Sequence, residues 1–141
     1  FLGSLIMNSV YFSPKKQEIQ NVLLLNPHQR YDYFIGKVAD WEQVWTLGNH
    51  EGLVTAQDDS QCLFLPLWVA KEYAELCLTD EWVECSPLPM TLEHLMTEIL
   101  PDMASANIKA AIMMLPNGKG TPIFDAQSVL DDLQEECQQY E

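Results

Sequence analysis

Three histidines, four cysteines and an excess of carboxylates are the side chains of this 141-residue chain that could do chemistry. A zinc centre needs His and Cys ligands brought together, and general acid–base work needs a histidine or carboxylate held in a cleft. Cys62, Cys77, Cys85 and Cys137 are separated by 15, 8 and 52 positions, with no C-x-x-C and no histidine pair nearby. That spacing supports neither a zinc ribbon nor a redox pair. All four sit inside apolar patterns and read as reduced, small hydrophobes of a cytosolic protein. His28, His50 and His94 fall in three separate segments: a helix's first turn, a loop, and the outer side of an apolar helical stripe. Each is expected to face solvent. No H-E-x-x-H, G-x-S-x-G, Walker loop or G-x-G-x-x-G is present. Asn117-Gly118-Lys119-Gly120 has the glycines of a phosphate loop without its spacing or a Ser/Thr directly after the lysine, and reads as a turn.

Two groups of carboxylates remain. Glu42, Glu51, Asp58 and Asp59 can surround loops near His50, which makes a small enzyme the alternative reading. Asp131, Asp132, Glu135 and Glu136 make one acidic helix face, ordinarily a solvated one. The aromatics say more. Trp45, Trp68 and Tyr73 flank one strand and the helix after it, and Trp41 precedes the first strand. Core and rim packing explains them first, with Trp45 expected in the core. A partly exposed groove for a peptide or small apolar ligand is the functional alternative.

These residues need elements to hold them. Ser13-Pro14 reads as the start of a helix reaching about Leu25, with Ile19, Val22 and Leu23 on one side. Asn26-Pro27 starts a second helix, with Gln29 as capping-box partner and a stripe of Tyr31, Phe34, Ile35 and Val38. Gly36 inside that helix suggests close packing. Short strands are expected at 44–47, 53–56 and 63–67, with Pro66 marking an edge or an end. Residues 82–85 are a further strand candidate, and Ser86-Pro87-Leu88-Pro89 reads as a breaker. Thr91 caps a helix with Leu92, Leu95, Met96 and Ile99 inward, stopped by Pro101. Residues 108–115, apolar on both faces, predict a central strand. Residues 122–124 pair briefly, and Asp125 caps a last helix with Val129, Leu130, Leu133, Cys137 and Tyr140 inward. The expected fold is a single α+β domain over 7–141, a small, mainly antiparallel sheet flanked by about five helices. Residues 1–6 are read as lying outside it, with Met7 as the natural start.

The net charge of −14 is unevenly spread. Residues 1–37 hold four bases against two acids, while 38–141 hold three lysines against nineteen acids. Such a body repels a phosphate backbone or an anionic membrane, and no run reaches the roughly 18 apolar residues of a membrane span. A basic protein or peptide is the partner that this charge permits. The basic helices of 13–37 are expected to be held by their apolar stripes, with charge setting only their orientation.

Val44-Trp45-Thr46-Leu47, then Leu65-Pro66-Leu67-Trp68 and Tyr73-Ala74-Glu75, resemble the motifs of a small bacterial family, domain of unknown function 2750. Tyr33-Phe34, Asp40-Trp41, Ile99-Leu100-Pro101 and the 108–115 run fit the same pattern, over about residues 27–133. Leu67 departs from it, standing where an aromatic is common. The resemblance implies an α+β fold in a bacterial cytosol and brings no catalytic residues with it. The reading is therefore a non-enzymatic, regulatory or protective module that binds a protein or peptide, as monomer or homodimer, without cofactor or metal. Its expected interaction surface is Trp41, His50, Trp68, Tyr73, Asp131, Asp132, Glu135 and Glu136.

Overall fold

A computed structural model describes residues 11–57, 61–79, 82–116 and 121–139. In chain order they form α1 (Lys16–Leu23), α2 (Pro27–Trp41), β1 (Gln43–Asn49), β2 (Gly52–Leu53), β3 (Ala56–Gln57) and β4 (Leu63–Leu67). Then come α3 (Lys71–Glu75), β5 (Ser86–Thr91), α4 (92–106), β6 (Lys109–Ile112), β7 (Ile123–Phe124) and α5 (Ala126–Gln138). The expected 117–120 turn and Tyr140 lie outside the described residues. The class is α+β, as the patterning predicts, but the strands form two sheets rather than one. One has the order β2-β1-β5, all antiparallel; the other has β3-β4-β6-β7, with β4 and β6 parallel. A single bridge joins them. Trp45 and Trp68 exchange backbone hydrogen bonds of 2.8 Å each way.

Local chemistry explains most of the boundaries. Asn26 Oδ1 accepts from the Gln29 N–H at 2.8 Å and Gln29 Oε1 accepts from the Asn26 N–H at 3.1 Å, the full capping box. Tyr31, Phe34, Ile35 and Val38 are all buried, as their spacing requires. The first helix begins later than expected. The Ser13 hydroxyl donates to the Glu72 carboxylate at 2.5 Å instead of capping, and α1 starts at Lys16. Thr91 does cap, its Oγ1 accepting from the His94 N–H at 3.0 Å. Asp125 occupies an N-cap position without capping, because its carboxylate takes the Lys109 ammonium.

Three expectations change, two of them about prolines. Ser86-Pro87-Leu88-Pro89 is not a breaker but most of β5, laid along β1 with Trp45 opposite Pro89 and Leu47 opposite Pro87. The Leu92 N–H donates to Glu42 O at 2.9 Å, which sets the phase of that ladder. Residues 86, 88 and 90 then turn their N–H toward β1, and both prolines fall where no donor is needed. Residues 82–85 are a turn rather than a strand, closed by Cys85 N–H to Trp82 O. Pro101 does not stop its helix. Residues 95–99 form a π-helical turn, with the Leu100 N–H reaching back to Leu95 O, and the helix continues as Leu100–Ala106. The wider turn is what admits a proline ring inside a helix.

Pro66 lies within a strand that has neighbours on both sides, yet β3 covers only Leu63 and Phe64. At Pro66 itself β4 is locally an edge, as expected, and its carbonyl accepts from Thr46 Oγ1 at 2.6 Å. The central strand β6 ends at Ile112, short of 115, because Met113 takes a left-handed φ of 53°. Leu65, Leu67, Trp68 and Ile112 fill the middle of the core, with Phe34, Leu95, Leu100 and Leu133 packed from the helices.

Gly36 is not held by close packing. A Cβ there would meet nothing within 4 Å, and its φ is helical. Gly36→Ala is expected to stabilise the fold by about 0.5–1 kcal/mol through helix propensity alone. Chemical denaturation checks this; a loss of stability would mean that the space is filled by something in solution.

Candidate functional site

Helices α2 and α5 lie side by side, and a hydrogen bond from Tyr31 to Asp132 crosses the seam between them. Two stripes bring them together: Tyr31 and Ile35 from α2, Val129 and Leu133 from α5, all buried. The Tyr31 ring packs on Phe124 at 4.1 Å between centroids, and its hydroxyl donates to the Asp132 carboxylate. Above this floor the helices diverge into an open groove of about 400 Å³. His28, Asp32 and Gly36 form its α2 wall, and Asp132, Glu135 and Glu136 its α5 wall. His28 and Asp32 stand 3.9 Å apart, both exposed.

The electrostatics of the groove are one-sided. Among the described residues no lysine or arginine lines the groove; the ion pair of Lys109 is with Asp125, at the other end of α5. Helix α5 has no basic residue in its last turn. Its acids therefore sit near the negative end of the helix dipole, where carboxylates are unfavourable and a cation is welcome. The Tyr31 phenol is held protonated, first by burial and then by its bond to Asp132.

A second polar cluster lies where α1 crosses α2. The Tyr33 hydroxyl donates to Glu18 Oε2 at 2.6 Å and stands 3.0 Å from the Tyr73 hydroxyl. Burial dominates there too: it raises Tyr33 well above the ordinary phenol range and pushes Tyr73 up to about 12.

The expected interaction residues separate into groups. Trp68 and Tyr73 are 0% and 2% exposed, so they are core rather than surface. Trp68 is fixed there by an Nε1–H bond to Met114 O at 3.0 Å. Trp41 is 39% exposed, at the end of α2, and Asp131 is exposed, on the outer side of α5. His50 is remote from the α2–α5 groove. It tops the β1–β2 turn beside a broad, open depression of about 630 Å³ that also contains Glu84, Ser86 and Leu88.

Of the carboxylates considered with His50, Glu51 is 3.8 Å away but both side chains are at least 80% exposed. Glu42 lies at the opposite end of β1, roughly 23 Å along the strand. Asp58 and Asp59 lie outside the described residues. No disulfide forms among the described residues; Cys77 is buried and Cys62, Cys85 and Cys137 are half-buried. Among the described residues no three His, Cys, Asp or Glu side chains converge as metal ligands, and no helix is long and apolar enough to cross a membrane.

The α5 wall of the groove was visible in the sequence as an acidic face. The α2 wall was not, although His28, Asp32 and Gly36 share one face at i, i+4 spacing. That spacing shows which residues align and not which helix they meet.

An α+β domain with, among the described residues, two small bridged sheets, five helices and an acidic helix–helix groove is the class of protein that the geometry defines. The chain belongs to the family described as protein of unknown function (DUF2750), whose model matches residues 31–133. No curated protein and no solved structure matches it.

Proposed function

We propose that this is a non-enzymatic, cytoplasmic bacterial module that binds a basic segment of a partner protein in the α2–α5 groove, in a regulatory or protective role. The observation that carries the reading is the groove itself. Four carboxylates, Asp32, Asp132, Glu135 and Glu136, line an open channel that no lysine or arginine among the described residues enters. An extended chain bearing lysine or arginine supplies the missing cations, and Tyr31 and Ile35, which line the groove floor, supply apolar contact for their stems. The acidic body beyond residue 37 steers such a partner from a distance, which raises the association rate more than the affinity.

Titration with an oligolysine peptide, followed by calorimetry, tests this. The double substitution Glu135→Gln and Glu136→Gln should weaken binding by about tenfold at 0.05 M salt. Raising salt to 0.5 M should weaken binding to the unaltered protein as well, because screening shortens to about 4 Å. Affinity unchanged by the two substitutions would place the cation elsewhere and end the assignment of this groove.

A further inference from the structure

The segment ahead of α1 is packed like a bound peptide rather than like a part of the fold. Residues 11–14 are extended and outside any ladder. They alternate outward and inward: Tyr11 and Ser13 exposed, Phe12 and Pro14 buried. The Phe12 ring enters the hydrophobic core between Trp41, 5.3 Å away, and the Lys37 ammonium, 5.0 Å above its face. The Tyr11 ring sits edge-on to Trp45 at 5.2 Å. The segment's backbone is tied by a side chain instead of by a strand: the Phe12 N–H donates to Gln43 Oε1 at 2.7 Å. The Ser13 hydroxyl reaches Glu72.

Lys37, Trp41, Gln43, Trp45 and Glu72, which these contacts involve, lie inside the span matched by the family model, whereas the segment, like α1 after it, lies outside it. The occupancy is also imperfect. Among the described residues the buried Trp45 indole N–H meets no acceptor, although Tyr11 covers its ring. An occupant with an acceptor at the Tyr11 position would fit better than the one in place.

From this we infer that the surface formed by Lys37, Trp41, Gln43, Trp45 and Glu72 is a recognition groove for an extended aromatic-x-proline segment of a partner protein, and that residues 11–14 occupy it as a resident competitor. The partner's segment carries basic residues after the proline. In the resident copy Lys15 and Lys16 stand there, both exposed, against a body with nineteen acids beyond residue 37. The aromatic fills the Trp41–Lys37 slot, its N–H meets Gln43, and the intervening residue reaches Glu72. This site is distinct from the α2–α5 groove and does not depend on it.

The test uses the full chain with Phe12→Ala and Pro14→Ala, titrated with the synthetic peptide Tyr-Phe-Ser-Pro-Lys-Lys and followed by tryptophan emission. The variant should bind it saturably, at one site. The unaltered protein should bind it at least ~10-fold more weakly, since its own segment competes at high effective concentration. A peptide with alanine in place of phenylalanine should not bind. Equal binding by both proteins, no binding by a folded variant, or only a concentration-dependent dimer of exchanged segments would overturn the inference.

Native-state amide exchange on the unaltered protein covers the case in which the variant does not fold. The Phe12 amide should exchange at least ~100-fold faster than that of Trp45, because the segment opens on its own. Equal protection of the two would mean that it leaves only when the whole fold does, which also overturns the inference.

Discussion

Trp68→Ala is expected to remove about 3–5 kcal/mol of stability, the range for deleting a fully buried large aromatic. The indole has no exposed surface and sits among Leu65, Leu67 and Ile112 at the centre of the core. Two further losses follow from its position. Its Nε1–H bond to Met114 O holds the exit of β6, and truncation leaves that carbonyl with the weak Cys77 thiol donor in place of the indole. Its backbone also forms the bridge to Trp45 that joins the sheets, so a relaxing cavity pulls on both. Urea denaturation followed by far-UV dichroism measures the change. Trp68→Phe keeps part of the volume and loses only the hydrogen bond, and should cost less than half as much. An alanine variant with an unchanged midpoint would show that the ring is not in the core, and would return it to the list of surface contacts.

Stability should also fall steeply above pH 10. Tyr31, Tyr33 and Tyr73 all have their ionisation pushed upward in the fold, each first by burial; Tyr73 reaches about 12. In the unfolded chain a phenol ionises near 10. A raised folded value means that the native state keeps a proton the unfolded state gives up. The contribution is complete below pH 10 and drains away as pH rises through the folded values. Each such phenol costs about 1.4 kcal/mol per pH unit inside its window, so three together remove about 4 kcal/mol per unit.

Cys77, which burial pushes up to about 11, adds in the same direction from pH 9. Lys109, raised by its contact with Asp125, also loses its advantage at high pH. Urea midpoints taken from pH 9 to 11.5 give the slope, and Tyr33→Phe should remove about one phenol's share of it. A midpoint flat across that range would mean that the phenols ionise as freely in the fold as outside it.

The parts of the fold legible in the sequence are those decided by neighbours a few residues apart. Asn26, Pro27 and Gln29 form a capping box from four consecutive positions, and the Tyr31–Val38 stripe follows from the helical period. What misled was proline. Pro87 and Pro89 destroy a strand only if their missing donors are wanted, and that depends on the phase of a ladder with β1, some forty residues upstream. Pro101 ends an α-helix, but a π-turn ahead of it removes the conflict, and no local signal announces that turn.

The site was half legible for the same reason. The α5 acids show as a face, whereas the pairing of Asp132 with Tyr31 crosses 101 positions of sequence. Trp68 and Tyr73 looked like candidate surface aromatics because tryptophan and tyrosine carry a polar tip. Each satisfies that tip inside the molecule, Trp68 on Met114 and Tyr73 beside Tyr33, and so is free to be buried.

The two prolines of β5 have an outcome beyond their own ladder. That strand is the margin of its sheet among the described residues, and a margin normally offers a row of N–H groups to which another molecule can add a strand. Here the outward positions 87 and 89 offer no donor at all. A second chain approaching that side finds acceptors but no donor before Thr91 at the strand's end, and cannot zip along it. With a net charge of −14 adding mutual repulsion, this flank is protected against the strand-by-strand growth that turns crowded proteins into fibres.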